Sequence, residues 1–403
     1  VDKKKVSLIG SLLLAGGILA GCSADDSEAT KEPVEQTEEQ PAQSEETTET
    51  EEQVAEQSEV QTQVTTYKGI IDELSKAKED KEVNWTTVTE EYSTNLQTAV
   101  NAVSGEFDQA LTAAMEGGLS GDIKPNLARQ LIDKTTQSYF YKVQKGLHKD
   151  IAAAIEADKL DEAKALFADL NYLADEVLIP TAVKRDSYYE LNGESSMEES
   201  IRTGLAAQEE ALNAGNVEDF VVYAQVTDKS IYRSYYLAAQ SYAEKIEKAV
   251  SEGSASEDDL RNMQAESWGF YQAINGSLSG GDEEAANKLN TLFSLNETDP
   301  ASIKGEEVKD LFAKAFINKI AIYHEKAPKA LEEGDLTSAK ESALEGNVFL
   351  KDIELYLIDK LGDEKTQSTL EVAEQWFNAI SEENAEEAKK HSDVVIATIN
   401  ELL

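Results

Sequence analysis

The chain has 403 residues, carries 79 Asp and Glu against 37 Lys and Arg, and has a formal net charge of −42. A polyanion of that size repels nucleic acid and anionic lipid, so neither is expected as a partner, whereas cations are drawn to it. Its single cysteine, Cys22, allows no internal disulfide, so stability must come from packing.

The first stretch concerns the compartment. Lys3, Lys4 and Lys5 form a basic segment, residues 6–19 form an apolar one, and small residues lead up to Cys22. The apolar run is shorter than the about 20 residues a membrane-spanning helix needs, and polar sequence follows it at once. Leu19-Ala20-Gly21-Cys22 resembles the signal of bacterial lipoproteins. That resemblance implies a signal peptide over 1–21, cut before Cys22, and a diacylglycerol on the Cys22 thiol. It also implies attachment to the extracytoplasmic face of the cell membrane, at a Gram-positive cell surface. Two or three acyl chains would make the attachment durable.

Residues 22–65 are expected to be an acidic, disordered tether. Between residues 23 and 65 there are 14 acids and one base, Lys31, with few apolar side chains. Such composition cannot bury enough apolar surface to offset chain entropy. Fully extended, this stretch reaches about 140–155 Å; as a flexible coil it spans about 35 Å, lengthened by self-repulsion.

From residue 66 to 403 the sequence is Pro-poor, rich in Ala, Leu, Glu and Lys, and apolar at helical spacing. It predicts one all-α domain, an elongated array of antiparallel helical hairpins. Ile70, Ile71 and Leu74 begin the series, and Val88, Tyr92, Leu96, Val100 and Val103 continue it. Turns are expected at glycines, among them Gly117-Gly118, Gly121, Gly193, Gly215, Gly253, Gly276, Gly280-Gly281 and Gly334. Residues 125–157 and 217–252 run without a breaker, which predicts helices of about 50 Å.

About three related repeats are expected. A shift of 95 places Gln130, Asp133, Lys134, Phe140, Tyr141, Ile151 and Ala154 on Gln225, Asp228, Lys229, Tyr235, Tyr236, Ile246 and Ala249. With two residues inserted in the turn, Leu166, Asp169 and Leu173 fall on Met263, Glu266 and Phe270. A shift of 176 brings Phe140, His148 and Asp169 onto Phe316, His324 and Glu345.

Two constellations could carry chemistry. Asp169, Glu266 and Glu345 lie on apolar stripes, and His148 and His324 occupy matching places on the preceding helices. Carboxylates with imidazole suit iron, zinc or another divalent metal, although such groups more often serve as paired core residues. His-x-x-Glu is absent at all three histidines, which separates the chain from imelysin-type iron-uptake proteins; Glu-x-x-His is absent too. Tyr141, Tyr236, Arg233 and Trp268 form the second set. They could border a groove for a sugar, peptide or ring-bearing ligand, since consecutive aromatics on a helix are not all expected to face the core; plain packing is the alternative. No nucleophile elbow, phosphate loop, dinucleotide fingerprint or zincin helix occurs. The sequence therefore points to a non-catalytic binding or assembly module at the cell surface, with no obligatory cofactor and with a protein partner there. The rivals are a metal- or iron-handling accessory lipoprotein and a cell-wall hydrolase without a recognisable motif.

Overall fold

Ser58 opens the helical body. Its hydroxyl accepts from the Gln61 backbone N–H and caps α1 (Glu59–Ser75), whose buried stripe includes Val64, Tyr67, Ile70 and Leu74. The computed structural model describes residues 57–79 and 81–403. The expected signal peptide, Cys22 and most of the acidic tether lie outside those residues. The expected boundary at residue 65 is corrected at its folded end. Residues 59–65 belong to α1, because Val64 is fully buried and Gln63 accepts from the Tyr139 hydroxyl at 2.6 Å.

Three short helices follow, α2 (Trp85–Asn95), α3 (Gln97–Val103) and α4 (Gly105–Ser120). Gly117-Gly118 lies inside α4 and makes no turn. A Cβ on Gly118 would sit 2.4 Å from the Trp85 ring, so the glycine provides a seat for the indole. Then come α5 (Pro125–Glu156), α6 (Leu160–Leu173), a π-helical turn over Ala174–Leu178 and α7 (Ile179–Tyr189). Proline starts α5 where its missing N–H costs nothing. The chain continues through α8 (Met197–Asn213), α9 (Val217–Glu252) and α10 (Glu257–Ser279). Gly276, expected at a turn, is inside α10. The remainder is α11 (Glu283–Phe293), α12 (Gly305–Glu332), α13 (Leu336–Asp352), α14 (Glu354–Leu361), α15 (Asp363–Ser381) and α16 (Ala385–Asn400).

The fold is an all-α array of hairpins, with no strand among the described residues. The repeats inferred from sequence coincide with the hairpins α5–α6, α9–α10 and α12–α13. The 32-residue α5 and the 36-residue α9 are the two long helices, at about 48 and 54 Å. Helix α9 is the axis, packed against α5, α7, α8, α10, α12 and α13. Its tyrosines carry the core. Tyr235 meets Tyr141 at 5.5 Å and Phe270 at 5.3 Å, and Tyr232 meets Phe316 at 5.7 Å and Phe349 at 5.3 Å. These edge and tilted pairs add to the burial of large rings.

The seam between α5 and α10 is closest at Gly269, where a Cβ would lie 2.3 Å from Lys134 Cβ. The Ser138 hydroxyl donates to the Gly269 carbonyl at 2.6 Å across the same seam. Gly269→Ala should therefore push the helices apart and cost about 1–3 kcal/mol by overpacking. Urea denaturation checks this, and an unchanged midpoint would contradict so tight a seam.

Candidate functional site

One rule relates the three inward acids. Each sits on the second helix of its hairpin and is met by a helix one step earlier in the array: α1, α5 or α9. Asp169 on α6 accepts from Ser58 Oγ at 2.6 Å and from Gln61 Nε2 at 3.2 Å, both at the start of α1. Glu266 on α10 accepts from Gln130 Nε2 of α5 at 2.5 Å. Glu345 on α13 pairs with Lys229 Nζ of α9 at 2.8 Å. A second element recurs with it. Lys134 pairs with Asp133 at 2.8 Å and lies 5.0 Å from the Phe270 ring; Lys229 pairs with Asp228 at 2.6 Å and lies 5.3 Å from the Phe349 ring. Cation, carboxylate and aromatic face thus form a repeated unit in which each buried charge has a partner.

The five residues considered for a metal do not converge. Asp169 and Glu266 are held in the seams just described. His148 and Glu345 line one cleft, and His324 lines a separate groove between α12 and α16. Among the described residues no three His, Cys, Asp or Glu side chains are gathered in a way that could hold a metal ion. The aromatic set is corrected as well. Tyr141 and Tyr236 are 2% and 1% exposed, Arg233 is buried against Glu354 at 3.3 Å, and Trp268 packs on the core. Tyr141, Tyr236 and Arg233 are enclosed, because α5 and α9 are flanked by other helices around most of their circumference and consecutive side chains can all be buried.

The cleft arises where α10 stops. Helices α9 and α10 run antiparallel, and the Ser267 hydroxyl donates to the Ala239 carbonyl. Twelve residues further on, α10 ends at Ser279, level with the Thr227–Asp228 step of α9. Beyond that level the N-terminal part of α9 forms the floor of a cavity of about 440 Å³. Val221, Ala224, Gln225 and Asp228 form this floor. Lys145, His148, Lys149, Ala152 and Glu156 of α5 make one wall, and Glu341 and Glu345 of α13 make the other.

A chain of alternating charges crosses the upper end. Lys145 donates to Asp228 Oδ2 at 2.9 Å, and Lys229 spans Asp228 and Glu345. Burial disfavours the Asp228 carboxylate, but Lys229 and then Lys145 outweigh it and hold this group far below the usual carboxylate range. Burial likewise works against the Lys229 ammonium, and Asp228 with Glu345 raise it above an ordinary lysine. Glu341 forms no ion pair among the described residues, and Lys229 offsets only part of what raises it. It accepts from Gln225 Nε2 at 2.7 Å, and burial followed by the nearby Glu345 pushes its carboxyl upward.

His148 lies against Gln144, with Nδ1 and Nε2 of the two side chains 2.8 Å apart. With the amide donating, Nδ1 accepts and the ring proton sits on Nε2. Burial lowers this imidazole to about 4, and burial lowers His324, stacked on Trp376 at 3.6 Å, to about 3. Lys145, Asp228, Lys229, Gln225 and Glu341 were not singled out as a site from sequence. The signal that could have found the central pair is the Asp-Lys step repeated at 133–134 and 228–229.

Two outcomes follow from these charges. Lys229→Met should cost about 3–5 kcal/mol, since it leaves two carboxylates without their shared cation; chemical denaturation at neutral pH measures it, and a loss below about 1 kcal/mol would be the range of a surface pair instead. The histidines fix the acid response. Both are neutral when folded and take up a proton near pH 6.5 when unfolded, so their contribution is whole above pH 6.5 and falls as pH drops toward about 4 for His148 and about 3 for His324. His324→Phe keeps a ring on Trp376 and should flatten the decline of the denaturation midpoint between roughly pH 6.5 and 4.5; an unchanged slope would show that His324 is already protonated in the fold. Compared with protein-family models, curated proteins and solved structures, the chain finds no match in any of the three.

Proposed function

We propose that this protein is a lipid-anchored, extracytoplasmic binding module, non-catalytic, that serves a ligand or an assembly at the cell surface. The observation that carries the binding half is the cleft over the N-terminal part of α9. It has the volume of a small-molecule site, and most of its charged groups are committed to one another through Lys145, Asp228, Lys229 and Glu345. Such groups hold a shape and an electrostatic pattern. None of these four is poised as an unengaged nucleophile or base, which a hydrolytic site would require.

The anchoring half rests on Leu19-Ala20-Gly21-Cys22 and on the acidic stretch after it. No described helix is long and apolar enough to cross a membrane. The first described helix is capped by Ser58, and a tether between Cys22 and Ser58 would set how far the helical body stands from the lipid.

In a bacterial host fed an alkyne-tagged fatty acid, the wild-type chain should be labelled and should sediment with membranes. Cys22→Ser should lose the label and leave the membrane fraction. Retention of both by the variant would remove the anchoring proposal.

A further inference from the structure

The cavities of the helical body differ in how their charges balance. The α9 cleft sets Lys145, Lys149 and Lys229 against Glu156, Asp228, Glu341 and Glu345. A depression at the turn between α4 and α5 sets Lys81, Lys124 and Arg261 against Asp122, Glu257 and Asp258. The groove between α12 and α16 is one-signed. Glu325, Glu332, Glu383, Glu386 and Asp393 line it with one base, Lys389, which is itself paired with Asp393 at 2.6 Å. Burial keeps the His324 imidazole neutral at physiological pH. The cations that flank the groove do not change the balance, because Lys329 faces Glu333, Lys390 faces Glu387, and Lys326 is matched in number by Glu382. Five acids against one base leave the rim a local excess of four negative charges.

Between these charges the groove is apolar and open to contact. Ala321, Pro328 and Leu331 of α12 and Ile396 of α16 are half-buried, and Ala385 at the start of α16 is exposed. Pro328 is inside α12, where it has no N–H to give the helix, and its ring forms part of the wall. The lining runs from Ala321 to Glu332 on one helix and from Ala385 to Ile396 on the other, about 16 Å in each case, which is the length of three helical turns. A groove of about 840 Å³ with an apolar floor and an acidic rim complements a helix that carries apolar side chains on one face and Lys or Arg beside them. An anionic lipid surface or a second copy of this chain would bring its own negative charge to that rim.

We propose that the groove between α12 and α16 docks a basic, amphipathic helical segment of about three turns from a protein partner. This inference rests on the assembly half of the proposed function and names the class of partner. Apolar side chains of the segment lie on Pro328, Leu331 and Ile396, and its cations meet Glu325, Glu332, Glu383 and Glu386.

Fluorescence anisotropy with the full chain tests the proposal, at about 150 mM salt so that diffuse attraction to a −42 surface is screened. The probe is a labelled peptide of two Lys-Leu-Ala-Lys-Leu-Ala-Lys heptads; a second peptide has Ser for every Leu and Ala, and a third has Glu for every Lys. The first should bind saturably at one site with Kd below about 100 μM, the second at least roughly tenfold more weakly, and the third not at all. Ala385→Arg puts a long cation at the exposed end of the floor and should weaken the first peptide roughly tenfold, with the fold checked by thermal melting. Val394→Arg adds the same charge on the opposite side of α16, where Val394 is 47% exposed, and should leave the affinity unchanged. Should Ala385→Arg fail to fold, Glu332→Gln supplies the second test, with an expected loss of about threefold. No saturable binding of the first peptide, binding of the serine peptide within about tenfold of it, binding of the acidic peptide, or equal weakening by Val394→Arg would each overturn the proposal. Fatty-acid labelling of Cys22 is read independently and the α9 cleft lies apart from this groove, so the proposed function and the partner class can fail separately.

Discussion

The structure depends on the pairing of charges along a helix that has almost no solvent to turn to. Helix α9 is enclosed by six others, and the run Thr227-Asp228-Lys229-Ser230 on it is buried. An unpaired charge there would cost several kcal/mol, far more than any single apolar contact returns. Lys229 therefore fixes two relationships at once. It neutralises Asp228 on its own helix, and through Glu345 it sets where α13 lies along α9. The same arrangement one copy earlier ties Asp133 and Lys134 of α5 to Tyr67 of α1 and Phe270 of α10. The array is thus held in register by polar contacts at fixed places, while the aromatic column packs between them.

Much of the architecture was legible in the sequence because a 3.6-residue period survives wherever a helix has one dry face. The two long helices lie within a residue of the runs without breakers, and the shifts of 95 and 176 align hairpins that pack as equivalents. The start of α1 was hidden by composition, since Glu59 to Thr65 reads like the acidic stretch before it and only Val60 and Val64 mark its buried face. Glycines misled where they serve a neighbour: Gly118 seats Trp85, and its backbone is helical.

The candidate site was legible only in part, for a related reason. Spacing shows that Asp169, Glu266 and Glu345 point inward, but their partners lie at Ser58, Gln130 and Lys229, more than 100 residues away in each case. No local pattern encodes such a pairing. The tyrosines illustrate the opposite error. Tyr139, Phe140 and Tyr141 cannot share one face of a helix, yet all are buried, because α5 is covered by α1, α4, α6, α9 and α10 along its length. The rule that a surface helix shows a polar side fails for a helix that is not at the surface.

The two best-matched copies show how a repeat can keep its scaffold and change its chemistry. Each retains an Asp-Lys pair with a ring beneath the lysine, so neither can lose that unit without exposing a buried charge. What differs is the set of groups around the aspartate. In the first copy a tyrosine and a glutamine donate to Asp133, and Lys134 followed by the Tyr67 bond holds it at about 2 against the cost of desolvation. In the second copy the glutamine position has become Tyr232 and serves the core, while α10 ends level with Asp228 and leaves the floor uncovered. Opening the cleft required no new catalytic group and no distortion of α9. The covering helix stops there, while Lys229 and Lys145 keep the carboxylate charged and in place.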